Sequence, residues 1–247
     1  WFRRCTTLLV ERNVTTGTSV GSLPGRALRE ALTEAQCTGI AATIILPQSI
    51  TRLFMATPPK DSARLADYRA AAGLRFSELY GELTDGWHLE ADWNTENAFP
   101  VCALPHAVEA ELQEIAREYR LSPIGIVPRF VADWNCWHAK LQPTAWFGVV
   151  HDRALTLGII SQGRLHAVRT VVVAADAWTE DAWLPLHLER EALRLDLPLP
   201  DRLLLCGTLP GHWARRTIGK LDCVRLDAGS TTESNAGLLQ QPLIAVF

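Results

Sequence analysis

The residue types that could carry chemistry are scattered along the chain without the spacing of a catalytic or metal-binding motif. The six cysteines form no Cys-x-x-Cys pair, and the seven histidines form no His-x-x-x-His pair. A zinc knuckle or a thioredoxin-type redox pair needs such spacing. No Gly-x-Gly-x-x-Gly or Gly-x-x-x-x-Gly-Lys-Ser/Thr motif is present for a nucleotide phosphate. The sequence therefore predicts no catalytic residue, no cofactor and no metal site.

Composition excludes several classes of protein. The chain has 247 residues, of which 48% are hydrophobic and 21% charged, and this balance is typical of folded domains rather than disordered segments. A net charge of −3 argues against nucleic-acid binding through a basic surface. No apolar run approaches the roughly 18 residues of a membrane span. We expect a cytoplasmic protein without a membrane segment of its own.

Periodicity predicts alternating strands and helices with a seam near residues 141–144. Before the seam, the apolar run 40–46 predicts a buried strand, and 87–93 alternates as a half-buried strand does. Residues 105–119 predict a helix whose glutamates face solvent. After the seam, residues 145–150, 154–161 and 164–173 predict three consecutive strands, the last two joined by a tight turn at Gln162-Gly163.

The segments that follow strands are the natural places for a phosphate. A backbone that wraps a phosphate needs glycine, so that its amides can approach closely. The first hairpin loop of the second half, Val150-His151-Asp152-Arg153-Ala154, contains none. Asp152 could still hold a metal ion, but an exposed turn aspartate is the favoured explanation. Gly207-Thr208, after a predicted strand, is a lone glycine and a weak signal.

Three stretches resemble the PilM-like proteins of type IV pilus assembly, a family related to the GspL proteins of type II secretion and to MshI. The first, VCALPHAVEAELQEIAREYRLSPIGIVPRFVADWN, resembles an inserted strand–helix–strand–helix unit. The second, AWFGVVHDRALTLGIISQGRLHAVRTV, resembles the opening sheet of the second lobe, and RLLLCGT resembles the strand before the adenosine loop. The resemblance implies an α/β protein of the actin-like ATPase fold. Its two ribonuclease-H-like lobes would have mixed β-sheets flanked by helices, with a first lobe over 1–142, an inserted subdomain over about 85–140, and a second lobe over 143–247.

Departures from the family pattern concern the nucleotide site. ATP-binding members carry an Asp-Ile-Gly-like loop at the start of each lobe and a Gly-Gly pair at the adenosine site. Here Asp152, Gly207 and Thr208 are the only relics of such a site, and bulky His212 and Trp213 follow where nucleotide binders stay small. A first-lobe loop could precede Trp1. The resemblance therefore implies a degenerate member that binds no nucleotide.

Three functions remain open at this point. The first is a non-catalytic scaffold of a type IV pilus or type II secretion platform, peripheral to the bacterial inner membrane. It would dock a PilN-like membrane protein by strand addition or in a groove of the first lobe, with contacts at Arg52, Trp93 and Phe99. The second is an ATPase or sugar-kinase-like enzyme in which Asp152 coordinates Mg²⁺ and Gly207-Thr208 contacts adenosine. The third is a soluble α/β domain outside pilus biology. The sequence leaves the oligomeric state open.

Overall fold

The computed structural model describes residues 8–12, 25–60, 64–93, 96–213, 217–218, 220–226 and 243–246, with only the backbone described at 8–12, 124 and 243–246. The chain divides into two compact units. The first lies within Trp1–Cys136 and Glu233–Phe247, and the second within Trp137–Thr232.

Five α-helices separate groups of one to four strands along the described chain. The elements before the second unit are β1 (Leu8–Arg12), α1 (Gly25–Glu34), β2 (Ala41–Leu46), β3 (Arg52–Ala56), α2 (Leu65–Tyr80), β4 (Trp87–Ala91), β5 (Phe99–Pro105), α3 (His106–Glu118), β6 (Ser122–Pro128) and α4 (Arg129–Trp137). Those that follow are β7 (Ala145–His151), β8 (Ala154–Ser161), β9 (Arg164–Val172), α5 (Trp183–Arg194), β10 (Arg202–Gly207), β11 (Thr217–Ile218), β12 (Leu221–Arg225) and β13 (Leu243–Val246). Among the described helices, none is long and apolar enough to cross a membrane.

The main sheet of the first unit is parallel and has the strand order β1-β13-β2-β6. Helices α1 and α3 bury their apolar stripes together with it, so that Leu28, Leu112 and Ile44 share one core. Strand β2 is largely apolar along its length because a parallel strand is covered on both faces. This explains why the run 40–46 was recognisable in the sequence.

A second sheet of the first unit is antiparallel and has the order β3-β5-β4. Helix α2 covers one of its faces, where Phe54, Phe76 and Val101 are buried together. The other face borders the groove described below.

The extra sheet is built from a different segment than the sequence predicted. We expected an inserted subdomain over about 85–140, but β3, α2, β4 and β5 form it, over Arg52–Pro105. Helix α3 instead packs in the core of the main sheet, and β6 pairs with β2. The local pattern of strands and helices was right, and the assignment of α3, β6 and α4 to the insertion was wrong because pairing with β2 depends on residues far away in the sequence.

The second unit has one mixed sheet with the order β11-β12-β10-β7-β8-β9. Strands β7, β8 and β9 form antiparallel hairpins, and β10 runs parallel to β7 and to β12. Gln162 and Gly163 have φ values of 52° and 75°, which are the left-handed conformations of a two-residue hairpin turn. The three consecutive strands and the tight turn predicted from sequence are confirmed.

The last strand does not belong to the second unit. The expected second lobe ran from 143 to 247, but β13 lies between β1 and β2 and pairs with both in parallel. The chain therefore returns to the first unit at its C-terminal end. A short apolar segment carries no signal of which sheet it joins, because parallel partners can lie anywhere in the sequence.

Candidate functional site

A groove of about 570 Å³ lies within the first unit, and we call it the first-unit groove. The three-stranded sheet forms one wall, β6 borders it from the main sheet, and α3 and α4 contribute side chains. Binding pockets for small ligands usually have volumes of about 300–1,000 Å³. The groove is therefore large enough for several side chains of a bound segment.

Strand register decides which side chains of the three-stranded sheet reach the groove. Alternate residues of β5, including Cys102 and Leu104, line it, while the residues between them bury against α2. Cys102 is flanked by Leu53 on β3 and by Glu90 on β4, and Leu104 is paired with His88. The wall therefore changes from apolar on β3 and β5 to charged on β4.

Strand β6 presents its edge to the groove. Among the described strands it pairs with β2 alone. Five of its residues between 123 and 128 line the groove. They include residues whose side chains point to opposite faces of the sheet, as expected where the groove borders the backbone edge of the strand. Pro123 and Pro128 lack an N–H and bracket the part of the edge that can donate hydrogen bonds. Such an edge can accept an extended segment as an added strand.

Two histidines and two glutamates form a polar cluster on the β4 side of the groove. His88 Nδ1 lies 3.0 Å from Oε2 of Glu109, and His88 Nε2 lies 3.5 Å from Oε2 of Glu90. His106 Nδ1 lies 3.7 Å from the same oxygen of Glu109. The cluster thus brings side chains of β4 and of the start of α3 to one place.

The negative charge of this wall resides on carboxylates. Partial burial acts to raise the pKa of Glu90, but hydrogen bonds from the Ala91 amide, the Trp93 indole and His88 outweigh it, so the pKa is lowered. Burial and then the charge of Glu90 raise the pKa of the Cys102 thiol to about 12. The carboxylate is therefore ionised at neutral pH, and the thiol is not.

The three residues expected to contact a partner pack on the α2 side of the sheet instead of lining the groove. Phe99 is only 2% exposed and belongs to the core under α2, so it is closed to a partner. The guanidinium of Arg52 lies 5.5 Å from the ring centroids of both Tyr80 and Trp87. Trp93 packs edge-on against Phe99 at a centroid distance of 6.0 Å. Arg52 and Trp93 are half-buried in these ring contacts, and their role as partner contacts stays a prediction.

In the second unit, the loop between β7 and β8 is a two-residue turn. Asp152 and Arg153 have φ values of 48° and 58°, and both side chains are exposed. The Asp152 carboxylate lies 3.6 Å from Nε2 of the neighbouring His151. Within the described part of the chain, no three His, Cys, Asp or Glu side chains are grouped as metal ligands. Asp152 is therefore an exposed residue of a tight turn.

Gly207 and Thr208 are engaged in the sheet itself. Gly207 has a φ of 96°, and a Cβ at this position would overlap the carbonyl oxygen of Val150 on β7. The Thr208 amide donates a hydrogen bond of 2.9 Å to that same oxygen. The close approach of two strands thus explains this glycine without a ligand.

An aromatic cluster fills the space next to the loop that follows β10. Trp213 is 1% exposed and stacks on Trp183 at a centroid distance of 5.5 Å, while Trp178 tilts against it at 5.4 Å. His187 also stacks on Trp183, at a centroid distance of 4.9 Å. Burial lowers the pKa of His187, which keeps the imidazole neutral. Of the two bulky residues noted in the sequence, Trp213 therefore forms core, and His212 beside it is half-buried.

The residues that line the groove are spread between 46 and 131 and form no recognisable sequence motif. Alternation over 87–93 identifies the apolar set on one face of β4, and His88, Glu90 and Asp92 form the other set. Glu109 belongs to the acidic face of α3 that was expected to be in solvent. The available signal was the alternation of apolar and charged residues along β4. The charged face of β4 lines a groove only because the edge of β6 borders the same space, and the sequence does not show that arrangement.

No protein-family model matches the chain, and no curated protein sequence matches it. Solved structures do match. The PilM–PilN type IV pilus biogenesis complex aligns over 90% of this chain and 84% of that chain, with a TM-score of 0.61 and 16% identity. The cytoplasmic domain of EpsL, an inner-membrane component of the type II secretion system of Vibrio cholerae, aligns over 83% and 71%, with a TM-score of 0.52 and 10% identity.

A third similar structure is a Bacteroides thetaiotaomicron protein of unknown function with an actin-like ATPase fold. It aligns over 68% of this chain and 60% of its own, with a TM-score of 0.48 and 13% identity. Together with the order of strands described above, the likeness to the first two structures shows the fold. The chain has the actin-like ATPase fold expected from its resemblance to PilM-like and GspL-like proteins.

Proposed function

We propose that the protein is a non-catalytic scaffold in the assembly platform of a type IV pilus or type II secretion system. In this role it docks an extended segment of a PilN-like inner-membrane protein in the first-unit groove. The protein would then lie on the cytoplasmic side of the inner membrane and be held there through its partner.

One observation carries the docking role: the edge of β6 borders an apolar groove. A segment added beside β6 would gain main-chain hydrogen bonds from the edge and would bury its side chains against Leu53, Leu104 and Val127. Affinity in this mode comes from the backbone and specificity from the pockets. The fold adds support, because the PilM of the similar structure is in a complex with PilN and EpsL is an inner-membrane component.

Binding is tested with overlapping labelled peptides that cover the cytoplasmic segment of the PilN-like protein of the same organism. We expect one contiguous window to bind the purified protein saturably, as measured by fluorescence anisotropy. The matched control is the same window with its residue order scrambled. Binding of no window, or equal binding of the scrambled peptide, contradicts the docking role.

We further propose that the second unit binds no nucleotide. The Thr208 amide already bonds Val150, the β7–β8 turn has no glycine, and Trp213 fills the core beside the loop. These contacts support a scaffold without bound ATP, whereas the enzyme alternative needs those groups for a phosphate and an adenosine.

We expect Mg-ATP at millimolar concentration to leave the melting temperature unchanged. A ligand at about 100 times its dissociation constant adds roughly 2.7 kcal/mol, which shifts a domain of this size by several degrees. Differential scanning fluorimetry over an ATP series measures this, with Mg²⁺ alone as the control. A saturable shift that disappears in Asp152→Ala contradicts the expectation and supports the enzyme.

A further inference from the structure

Glu90 and Glu109, two carboxylates that line the first-unit groove, differ from three other carboxylates of the same unit in their partners. Elsewhere in the unit, Glu30 and Glu118 pair with arginines at 2.8 and 2.9 Å, and Asp133 pairs with Arg129 at 2.8 Å. In the described structure, Glu90 and Glu109 have no arginine or lysine partner, and their ion pairs are with histidines.

His88 cannot satisfy both glutamates in its neutral form. Its Nδ1 faces Glu109 and its Nε2 faces Glu90, but a neutral imidazole has a single N–H to donate. One carboxylate then faces a ring lone pair. A cation brought in by a bound segment would compensate the charge that the described residues leave without a guanidinium or ammonium partner.

The polar cluster lies beside the apolar part of the groove wall, and this arrangement determines which side chains a docked segment needs. Glu90 is the β4 neighbour of Cys102, and Leu53 lies on the opposite side of Cys102. Neighbouring strands lie about 4.8 Å apart, so roughly 10 Å separates Leu53 from Glu90 across the sheet. An extended segment spaces the side chains of one face by about 7 Å, and a long basic side chain can reach over the rest, so the segment can place an apolar side chain on Leu53 and a basic one on the carboxylates. Arginine suits this geometry because its planar fork can bond two carboxylate oxygens.

We propose that the segment docked in the first-unit groove carries an arginine or lysine among its apolar residues, and that its cation is bound by Glu109 and Glu90. This inference rests on the proposed function and names the partner chemistry that the groove selects. Glu109 is the stronger contributor, since 23% of its side chain is exposed against 63% for Glu90. Charge pairs gain strength as water is excluded.

The test uses two labelled decapeptides of alternating valine and serine, identical except that one central serine is arginine in the first peptide and glutamine in the second. We expect the arginine peptide to bind the protein about tenfold more tightly, the effect of one charge-assisted hydrogen bond. The preference should vanish in Glu109→Gln and weaken in Glu90→Gln. It should persist in the matched control Glu114→Gln, an exposed glutamate of α3 that does not line the groove.

Each result bears on the inference. Equal affinity of the two peptides, no saturable binding of either, or an arginine preference that survives in both Glu109→Gln and Glu90→Gln overturns it. Failure of the PilN-like peptide series with the arginine preference intact contradicts the proposed partner alone. Binding of that series without any contribution from its basic residues contradicts the charge selection alone.

Discussion

Replacement of Gly125 by phenylalanine is expected to abolish capture of the PilN-like segment while the first unit stays folded. Gly125 lies on β6 and lines the groove, and a Cβ there would meet no atom of the described residues nearer than 4.0 Å. A phenyl ring at this position would occupy the space that an added strand needs. We expect the dissociation constant to rise by roughly 100-fold or more, a loss of about 2.7 kcal/mol.

The fold should tolerate this change, because glycine weakens a strand and aromatic residues favour one. Anisotropy titration measures the affinity, and a melting curve confirms that the unit is folded. Gly211→Phe is the matched control: in the part of the chain that the structure describes, no atom lies within 4 Å of a Cβ added to Gly211, and Gly211 belongs to the second unit. Unchanged affinity in folded Gly125→Phe would rule out docking beside β6.

Replacement of Gly207 by alanine is expected to destabilise the second unit severely. The left-handed φ of 96° strains any L-residue, and the new Cβ would overlap the Val150 carbonyl oxygen, which also accepts the Thr208 amide. Because the obstacle is backbone, it cannot move aside as a side chain could. We expect a loss of at least about 3 kcal/mol of unfolding free energy, measured by urea denaturation followed by tryptophan fluorescence.

Gly163→Ala separates the two causes of that loss. Gly163 has a φ of 75°, but no atom of the described residues lies within 4 Å of its added Cβ, so only the conformational strain remains. We expect this control to cost about 1 kcal/mol. A Gly207→Ala protein as stable as Gly163→Ala would show that β7 and β10 do not approach as described. It would also reopen a ligand-binding role for that glycine.

The polar cluster of the groove shows how far sequence could predict the site. The pattern of 87–93 placed His88 and Glu90 on one face of a strand correctly. Glu109 belonged to a helix face that looked solvated, and nothing local connects it with His88, 21 residues earlier. The residues chosen from sequence as partner contacts were aromatic or basic. In the structure, their rings and the Arg52 guanidinium contact residues on the α2 side of the sheet.

Elements of the chain were determined by local periodicity, and the site was decided by pairing at long range. The buried run of β2, the amphipathic α3, and the β8–β9 hairpin with its Gln162-Gly163 turn follow from side-chain spacing and turn conformation, so the sequence alone determined them. Alternation with a period of two residues assigns side chains to the two faces of a strand, but it does not indicate which other element packs against each face. Which strand remains an edge depends on partners distant in sequence. The insertion of β13 between β1 and β2, the pairing of β6 on one side, and the groove beside it therefore exist only in the tertiary structure.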